Sequence, residues 1–158
     1  MIKLFRVDHR LLHGQVVFSW CNAVKADTIL VASDSVVKDE IRKATIKLAK
    51  PSGIKLVIKD IEDSADAINS GITDKYNLLI LVESIEDAYR FLKKTDKIHS
   101  INLGGIKKRE NTEQFSKAIH LTKEEKNLIK KIIQRKVEVE IRQVPTESKI
   151  IVDESMLI

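Results

Sequence analysis

Ile2-Lys3-Leu4-Phe5-Arg6-Val7-Asp8-His9-Arg10-Leu11-Leu12-His13-Gly14-Gln15-Val16 is the stretch on which the reading of this chain turns. Ile2 to Val7 is a short, mostly apolar run of strand type. The stretch that begins at Gly14 and runs to Val24 places Val16, Val17, Trp20 and Val24 near helical spacing. Between the two lies a turn crowded with ionisable groups: Asp8, His9, Arg10 and His13, with Arg6 just before them. Open α/β sheets put their chemistry in such turns, at the carboxyl ends of strands. His13 is therefore a candidate reacting group, and the remaining chain its scaffold.

The same alternation continues outward. Asp27–Ala32 reads as a second strand, apolar at its centre as a strand covered on both faces should be. Ser33-Asp34-Ser35 supplies helix caps, and the spacing predicts a helix from Val36 to Lys50 with Val37, Ile41, Ala44 and Leu48 as its buried stripe. Pro51-Ser52-Gly53 stops it. Strands follow at Ile54–Lys59, Tyr76–Val82 and Ile98–Leu103, with helices at Asp60–Ser70 and after Ser84 between them. Asn102-Leu103-Gly104-Gly105 reads as a turn, Lys108–Gln114 as a loop and Ser116–Leu121 as a sixth strand. A helix then runs from Thr122 to Arg135, and strands run over Val137–Val144 and Lys149–Val152. The expected architecture is α/β: three layers, a mostly parallel sheet of about seven strands with helices on both faces, and a C-terminal strand that can run antiparallel at the edge. One domain spans residues 1–158. Right-handed crossovers bring the turns at Ser33-Asp34-Ser35, Glu83-Ser84 and Asn102–Gly105 to the same sheet edge as His13.

Composition narrows the class. The longest wholly apolar run, Leu78–Val82, is far short of a membrane span, and the chain opens on strand-like sequence rather than a signal peptide. With Cys21 the one cysteine, there is no internal disulfide or cysteine-based zinc site, and a reduced, cytoplasmic compartment fits. Cys21 itself reads as a small buried hydrophobe. Net charge is +5, but the basic residues interleave with acids as helical faces do, and aromatics are only 4%, too few for base-stacking platforms. No Walker-type or GxGxxG loop supports nucleotide binding. His99 and His120 each stand alone in a strand, and Trp20 points with Val16 and Val17 into the core rather than serving as a sugar-stacking platform.

An imidazole followed by glycine at a helix start has a physical use. Glycine lets the backbone turn tightly, and the open amides of a helix N-terminus favour an anion. Arg10 adds a planar cation suited to phosphate, and Asp8 can hold one ring N–H and so set the tautomer. Such a histidine can carry a phosphoryl group. An Arg-His-Gly phosphohistidine phosphatase or mutase is the nearest alternative, but here two leucines separate Arg10 from His13-Gly14. A basic nucleotide- or nucleic-acid-binding domain is the other, resting on charge alone.

Asp8-His9-Arg10-Leu11-Leu12-His13-Gly14-Gln15-Val16 resembles the active-site signature of the enzyme IIB components of the mannose/fructose/sorbose family of the bacterial sugar phosphotransferase system. Ile29–Asp34, Ala49–Gly53 and the glycine pair Gly104-Gly105 are similar to later blocks of that family, in the same order. The resemblance implies that His13 accepts phosphate, through Nδ1, from a phosphohistidine of a partner IIA protein. It would pass the group to a sugar entering through the membrane proteins IIC and IID, at whose cytoplasmic side the chain would sit. Arg10 would then neutralise charge, Asp8 orient the ring, Gly14 and Gln15 supply amides, and Asp34 and Ser35 wall the phosphate pocket. Lys107, Lys108 and Arg109 are candidates for docking an acidic partner. No metal or organic cofactor is needed, because the donor is already an energised phosphohistidine. His9 stands where many relatives have a second acid.

Overall fold

The computed structural model describes residues 1–158. Its strands are β1 (Ile2–Asp8), β2 (Thr28–Ala32), β3 (Lys55–Lys59), β4 (Leu78–Val82), β5 (Ser100–Gly105), β6 (Glu113–Ser116), β7 (Ile119–Leu121), β8 (Glu138–Ile141) and β9 (Ile150–Ile151). The helices are α1 (Gly14–Val24), α2 (Asp34–Val37), α3 (Glu40–Leu48), α4 (Ile61–Ser70), α5 (Ile85–Leu92) and α6 (Lys123–Gln134). A seven-stranded sheet has the order β3-β2-β4-β1-β5-β8-β9. All its pairings are parallel except β8–β9, which is antiparallel at the edge. The expected α/β architecture is the observed one. No helix is long and apolar enough to cross a membrane.

β1 lies at the centre of the sheet, and side-chain alternation sends its residues into two different layers. Phe5 and Val7 join the larger core beneath α4, α5 and α6. Leu4 packs into the smaller core beneath α1 and α3, with Leu11, Val17, Trp20 and Ile46. The chain leaves β1 toward one face of the sheet and leaves β4 and β5 toward the other. A crevice therefore opens above the end of β1, as at a topological switch point.

Capping side chains set most helix starts. Ser33, Asp39, Asp60, Ser84 and Thr122 each accept a hydrogen bond from a backbone amide of the first turn. Thr122 and Glu125 complete a reciprocal capping box. The cap at Asp39 corrects one expectation. The Val36–Lys50 stretch is two helices, because the Asp39 carboxylate takes the Arg42 amide at 3.0 Å and restarts the helix there. The restart rotates the predicted stripe outward: Val36 and Ile46 are buried, whereas Ile41 and Leu48 stand in solvent.

Three further readings are corrected. Ser116–Leu121 adds no strand to the seven-stranded sheet: it holds the end of β6, a tight turn and β7, and the β6–β7 hairpin is a separate two-stranded sheet. Its Ile106–Ile119 bridge keeps it against the end of β5. Asn102–Gly105 is not a turn; the glycines extend β5. His99 precedes β5 rather than lying in a strand, exposed, while its carbonyl accepts the Glu138 amide.

The two sides of α3 give a direct stability test. Ile46→Ala should cost about 2–4 kcal/mol by urea unfolding, as burial of an isoleucine predicts, whereas Ile41→Ser should change stability by no more than about 0.5 kcal/mol. Equal losses at both positions would contradict the observed rotation of the helix.

Candidate active site

The Asp8 carboxylate, fully buried at the end of β1, organises the opening turn. A bulge between Val7 and Asp8 skips one residue of β5, pairing Val7 with Leu103 and Asp8 with Gly105. The His9 amide then donates to the Gly105 carbonyl at 2.9 Å, and the Leu11 amide to the Asp8 carbonyl at 2.9 Å. Leu11 is held at φ +56° and Gly14 at φ +40°, so the turn stores left-handed backbone that a leucine rarely adopts. Complete burial of the Leu11 side chain in the smaller core keeps it there.

Around Asp8 the donors converge. Oδ2 accepts from His13 Nε2 at 2.9 Å and from Arg6 Nη2 at 3.1 Å. Oδ1 accepts from the Arg10 amide at 3.0 Å, with Arg10 Nε at 3.5 Å. Burial alone would raise the Asp8 pKa. The hydrogen bonds from His13 and the Arg10 amide, with the Arg6 charge, outweigh it and bring the carboxyl down to about 2. Asp8 is therefore an acceptor at neutral pH, and the proton of the 2.9 Å contact belongs to His13 Nε2. That leaves Nδ1 as the ring's free lone pair.

His13 is also the residue before the first turn of α1, with extended backbone (φ −144°, ψ 121°), but its ring makes no cap hydrogen bond. The first turn of α1 thus has amides with no side-chain acceptor and no acidic residue beside them. Gly14 and Gln15 are exposed there. Such a helix start is electrostatically suited to an anion next to the imidazole.

Arg6 is the functional residue that motif reading passed over. It is completely buried, and Nη1 donates to Asn102 Oδ1 at 2.7 Å and to the Arg142 carbonyl at 3.2 Å. Its guanidinium lies 5.6 Å from the centre of the Trp20 ring, whose Nε1 donates to the Gln143 carbonyl at 3.1 Å. Burial lowers the Arg6 pKa, and Asp8 opposes the shift. Gly104 makes this possible: a Cβ there would lie 2.1 Å from Arg6 Cζ. Trp20 is core, as expected, but its ring also packs against the cations below the site. A charged residue between Phe5 and Val7, opposite Asn102 in register, was the available signal.

The other expected residues lie nearby. Ser35 Oγ donates to Glu83 Oε1 at 2.7 Å and accepts from Arg42 Nη1 at 3.1 Å. Glu83 also accepts from Ser33 and from Arg42 Nη2, at 2.9 and 2.8 Å. Asp34 accepts the Ile61 amide at 3.0 Å and pairs with Arg90 at 2.9 Å. The polar contacts of Asp34 and Ser35 thus run to this second cluster rather than to His13. A cavity of about 470 Å³ between the clusters is lined by His9, Arg42, Glu83, Lys107, Arg109 and Glu125, among others. Arg109 is tied to Glu125 at 2.8 Å, whereas the side chains of Lys107 and Lys108 stand exposed. His120 is structural, its Nδ1 lying 3.3 Å from the Ile106 carbonyl, and burial pushes the Cys21 thiol up to about 11. Nowhere do three His, Cys, Asp or Glu side chains gather as metal ligands.

Residues 2–157 match the family described as PTS system sorbose subfamily IIB component. The chain belongs to that family. This IIB component is 31% identical over 147 residues to the sorbose-specific EIIB component of Lacticaseibacillus casei, covering 93% of this chain and 90% of the relative. It is 29% identical over 150 residues to the mannose-specific EIIAB component of Escherichia coli K12, covering 95% of this chain and 46% of that longer protein. The crystal structure of the IIBSor domain of the sorbose permease from Klebsiella pneumoniae superimposes with a TM-score of 0.90 at 25% identity, over 95% of this chain and 92% of that one. Family membership decides among the classes of activity the sequence left open: the IIB component is a phosphoryl carrier of sugar uptake and a sugar phosphotransferase.

Two outcomes test the geometry. Because its folded pKa is depressed, Asp8 contributes stability above the unfolded value, about 2 kcal/mol at neutral pH, that is lost as pH falls from about 4 to about 2. Asp8→Asn should flatten that part of the pH–stability curve and cost about 3–5 kcal/mol at pH 7 by stranding buried Arg6. Gly104→Ala should displace Arg6 and lower the melting temperature much more than Gly53→Ala, where no atom stands within 4 Å of the new Cβ and the cost is only that of an alanine at φ +80°. Similar effects at the two glycines would remove the argument for close approach.

Proposed function

We propose that His13 is the residue that carries the phosphoryl group, bonded through Nδ1. The observation that supports this is the 2.9 Å contact between Nε2 and Asp8, which commits Nε2 to a buried carboxylate and leaves Nδ1 as nucleophile. The donor is a phosphohistidine of a IIA protein. The donor's N–P bond breaks as the bond from His13 Nδ1 to phosphorus forms, and Nε2 keeps its proton. The ring thereby becomes cationic, and Asp8 stabilises that charge across the same hydrogen bond. The uncapped amides of Gly14 and Gln15 and the half-exposed guanidinium of Arg10 receive the phosphoryl oxygens. In the second step a sugar hydroxyl attacks phosphorus, the bond to Nδ1 breaks, and the hydroxyl proton goes to solvent.

The cavity beside the turn, with Lys107 exposed at its rim, is the entrance that partners share. The fused EIIAB form of the mannose-specific relative is consistent with a IIA partner reaching this edge. IIC and IID membrane proteins at the cytoplasmic face present the sugar, and Lys107, Lys108 and Arg109 steer an acidic partner toward His13.

Incubation with phosphoenolpyruvate, the general phosphotransferase proteins and a IIA partner should give an acid-labile, base-stable phosphoryl group on the wild type and none on His13→Ala. Labelling that survives in His13→Ala would refute the assignment. Arg10→Ala should slow transfer about 10–100-fold, the loss of one charge-stabilising donor, with an unchanged melting temperature. Replacing both Lys107 and Lys108 with Gln should slow IIA association most at low salt.

A further inference from the structure

Helix α3 turns toward solvent the stripe that its sequence pattern assigns to a core. Ile41 is 81% and Leu48 is 88% exposed, and Ala44 and Thr45 between them are exposed as well. These four positions follow i, i+3, i+4, i+7 spacing, so they form one continuous row on the helix. The single polar atom in the row is already satisfied, because Thr45 Oγ1 donates to the Ile41 carbonyl at 3.0 Å. Thr45 therefore presents mainly its methyl group. Only Ile46 of α3 is buried beneath the helix.

The surroundings of this row are strongly one-sided in charge. Between residues 38 and 50, Lys38, Arg42, Lys43, Lys47 and Lys50 outnumber Asp39 and Glu40, both at the helix start; Arg42 is tied to Glu83 at 2.8 Å, but Lys38 and Lys47 have no carboxylate partner. Asp39 is spent on its cap, and Glu40 on Lys43 at 3.3 Å. Toward the C-terminal end, Lys47, Leu48 and Lys50 have no acidic neighbour in sequence. A short helix with exposed aliphatics set among lysines has the form of an interfacial element.

We propose that this face of α3 seats the protein on an anionic phospholipid surface, with Ile41, Ala44 and Leu48 at the acyl boundary and the lysines among the headgroups. Charge decides the occupant. A second copy of the chain would bring two lysine-flanked rows together. The cytoplasmic loops of membrane proteins carry an excess of Lys and Arg and would repel the same row. Anionic headgroups attract every flanking lysine while the acyl boundary receives the aliphatic row. One short helix gives weak, reversible attachment, which concentrates the chain at a membrane without holding it there. α3 packs on the same side of the sheet as α1, so the attached face and the His13 turn belong to one layer. The inference does not rest on the phosphoryl role of His13.

The full chain should co-sediment with protein-free vesicles of phosphatidylglycerol and phosphatidylcholine, and far less with phosphatidylcholine alone. Added salt should weaken the binding. The double substitution Ile41→Ser/Leu48→Ser should reduce partitioning about tenfold or more through loss of the apolar row. Its melting temperature, and its labelling by IIA in solution, should not change. Lys38→Gln/Lys47→Gln should weaken binding and flatten its salt dependence. No preference for anionic vesicles, or binding that persists in Ile41→Ser/Leu48→Ser, overturns the proposal. So does a wild-type dimer that this double substitution dissociates, or binding confined to vesicles carrying IIC and IID. None of these outcomes touches His13, whose labelling is read separately.

Discussion

The contact between Arg6 and Asp8, both without solvent exposure, constrains the site more than any other interaction in the molecule. Two opposite charges buried on one strand are costly unless every remaining lone pair and proton finds a partner. Here most of them do: Arg6 reaches Asn102 and the Arg142 carbonyl, with only its Nε left unpaired, and Asp8 receives His13 and the Arg10 amide. Removing either charge would strand the other, so the two act as a unit. Arg6 holds Asp8 ionised from below, and Asp8 holds the His13 ring from within.

That unit depends on the sheet order. β5 can approach β1 closely only because Gly104 leaves room for a guanidinium and Gly105 lies against the Asp8 carboxylate. The bulge at Asp8 and the left-handed Leu11 then carry the chain off the sheet and onto the α1 layer. β1 lies between β4 and β5, whose chains depart to the opposite layer. The imidazole thus stands in a crevice, with its Nε2 fixed and Nδ1 free, rather than on a mobile loop. In the role proposed for His13, charged by one partner and discharged by another, a rigid ring in an open crevice suits both encounters.

The Glu83 cluster has a different character. Its serines and Arg42 satisfy the carboxylate and hold it below its usual range. Asp87, close to Glu83, is pushed up to about 6 by burial and by that neighbouring charge. The cluster braces the β2 and β4 ends of the crevice and links α3 to the site edge through Arg42. The exposed row of α3 and the crevice are in this way parts of one layer.

Much was legible in the sequence because it is local. The strand–turn–helix at the start, the helix starts at Ser33, Ser84 and Thr122, and the apolar run of β4 depend on residues a few positions apart. So does the histidine–glycine signature that carries the family resemblance. The rest involves long sequence separations that no local pattern encodes. The Ile41–Leu48 row has the same periodicity whether buried or exposed; the restart at Asp39, together with packing on the sheet, turned it outward. Gly104 reads locally as a turn, and only its position across from Arg6 makes it part of a strand. Sequence alone determined the histidine–glycine turn and the alternation of strands and helices around it, but not Arg6. Tertiary structure decided which of them meet, because the Arg6–Asn102, Asp8–Gly105 and Ser35–Glu83 contacts join strands and turns that only the sheet order makes neighbours.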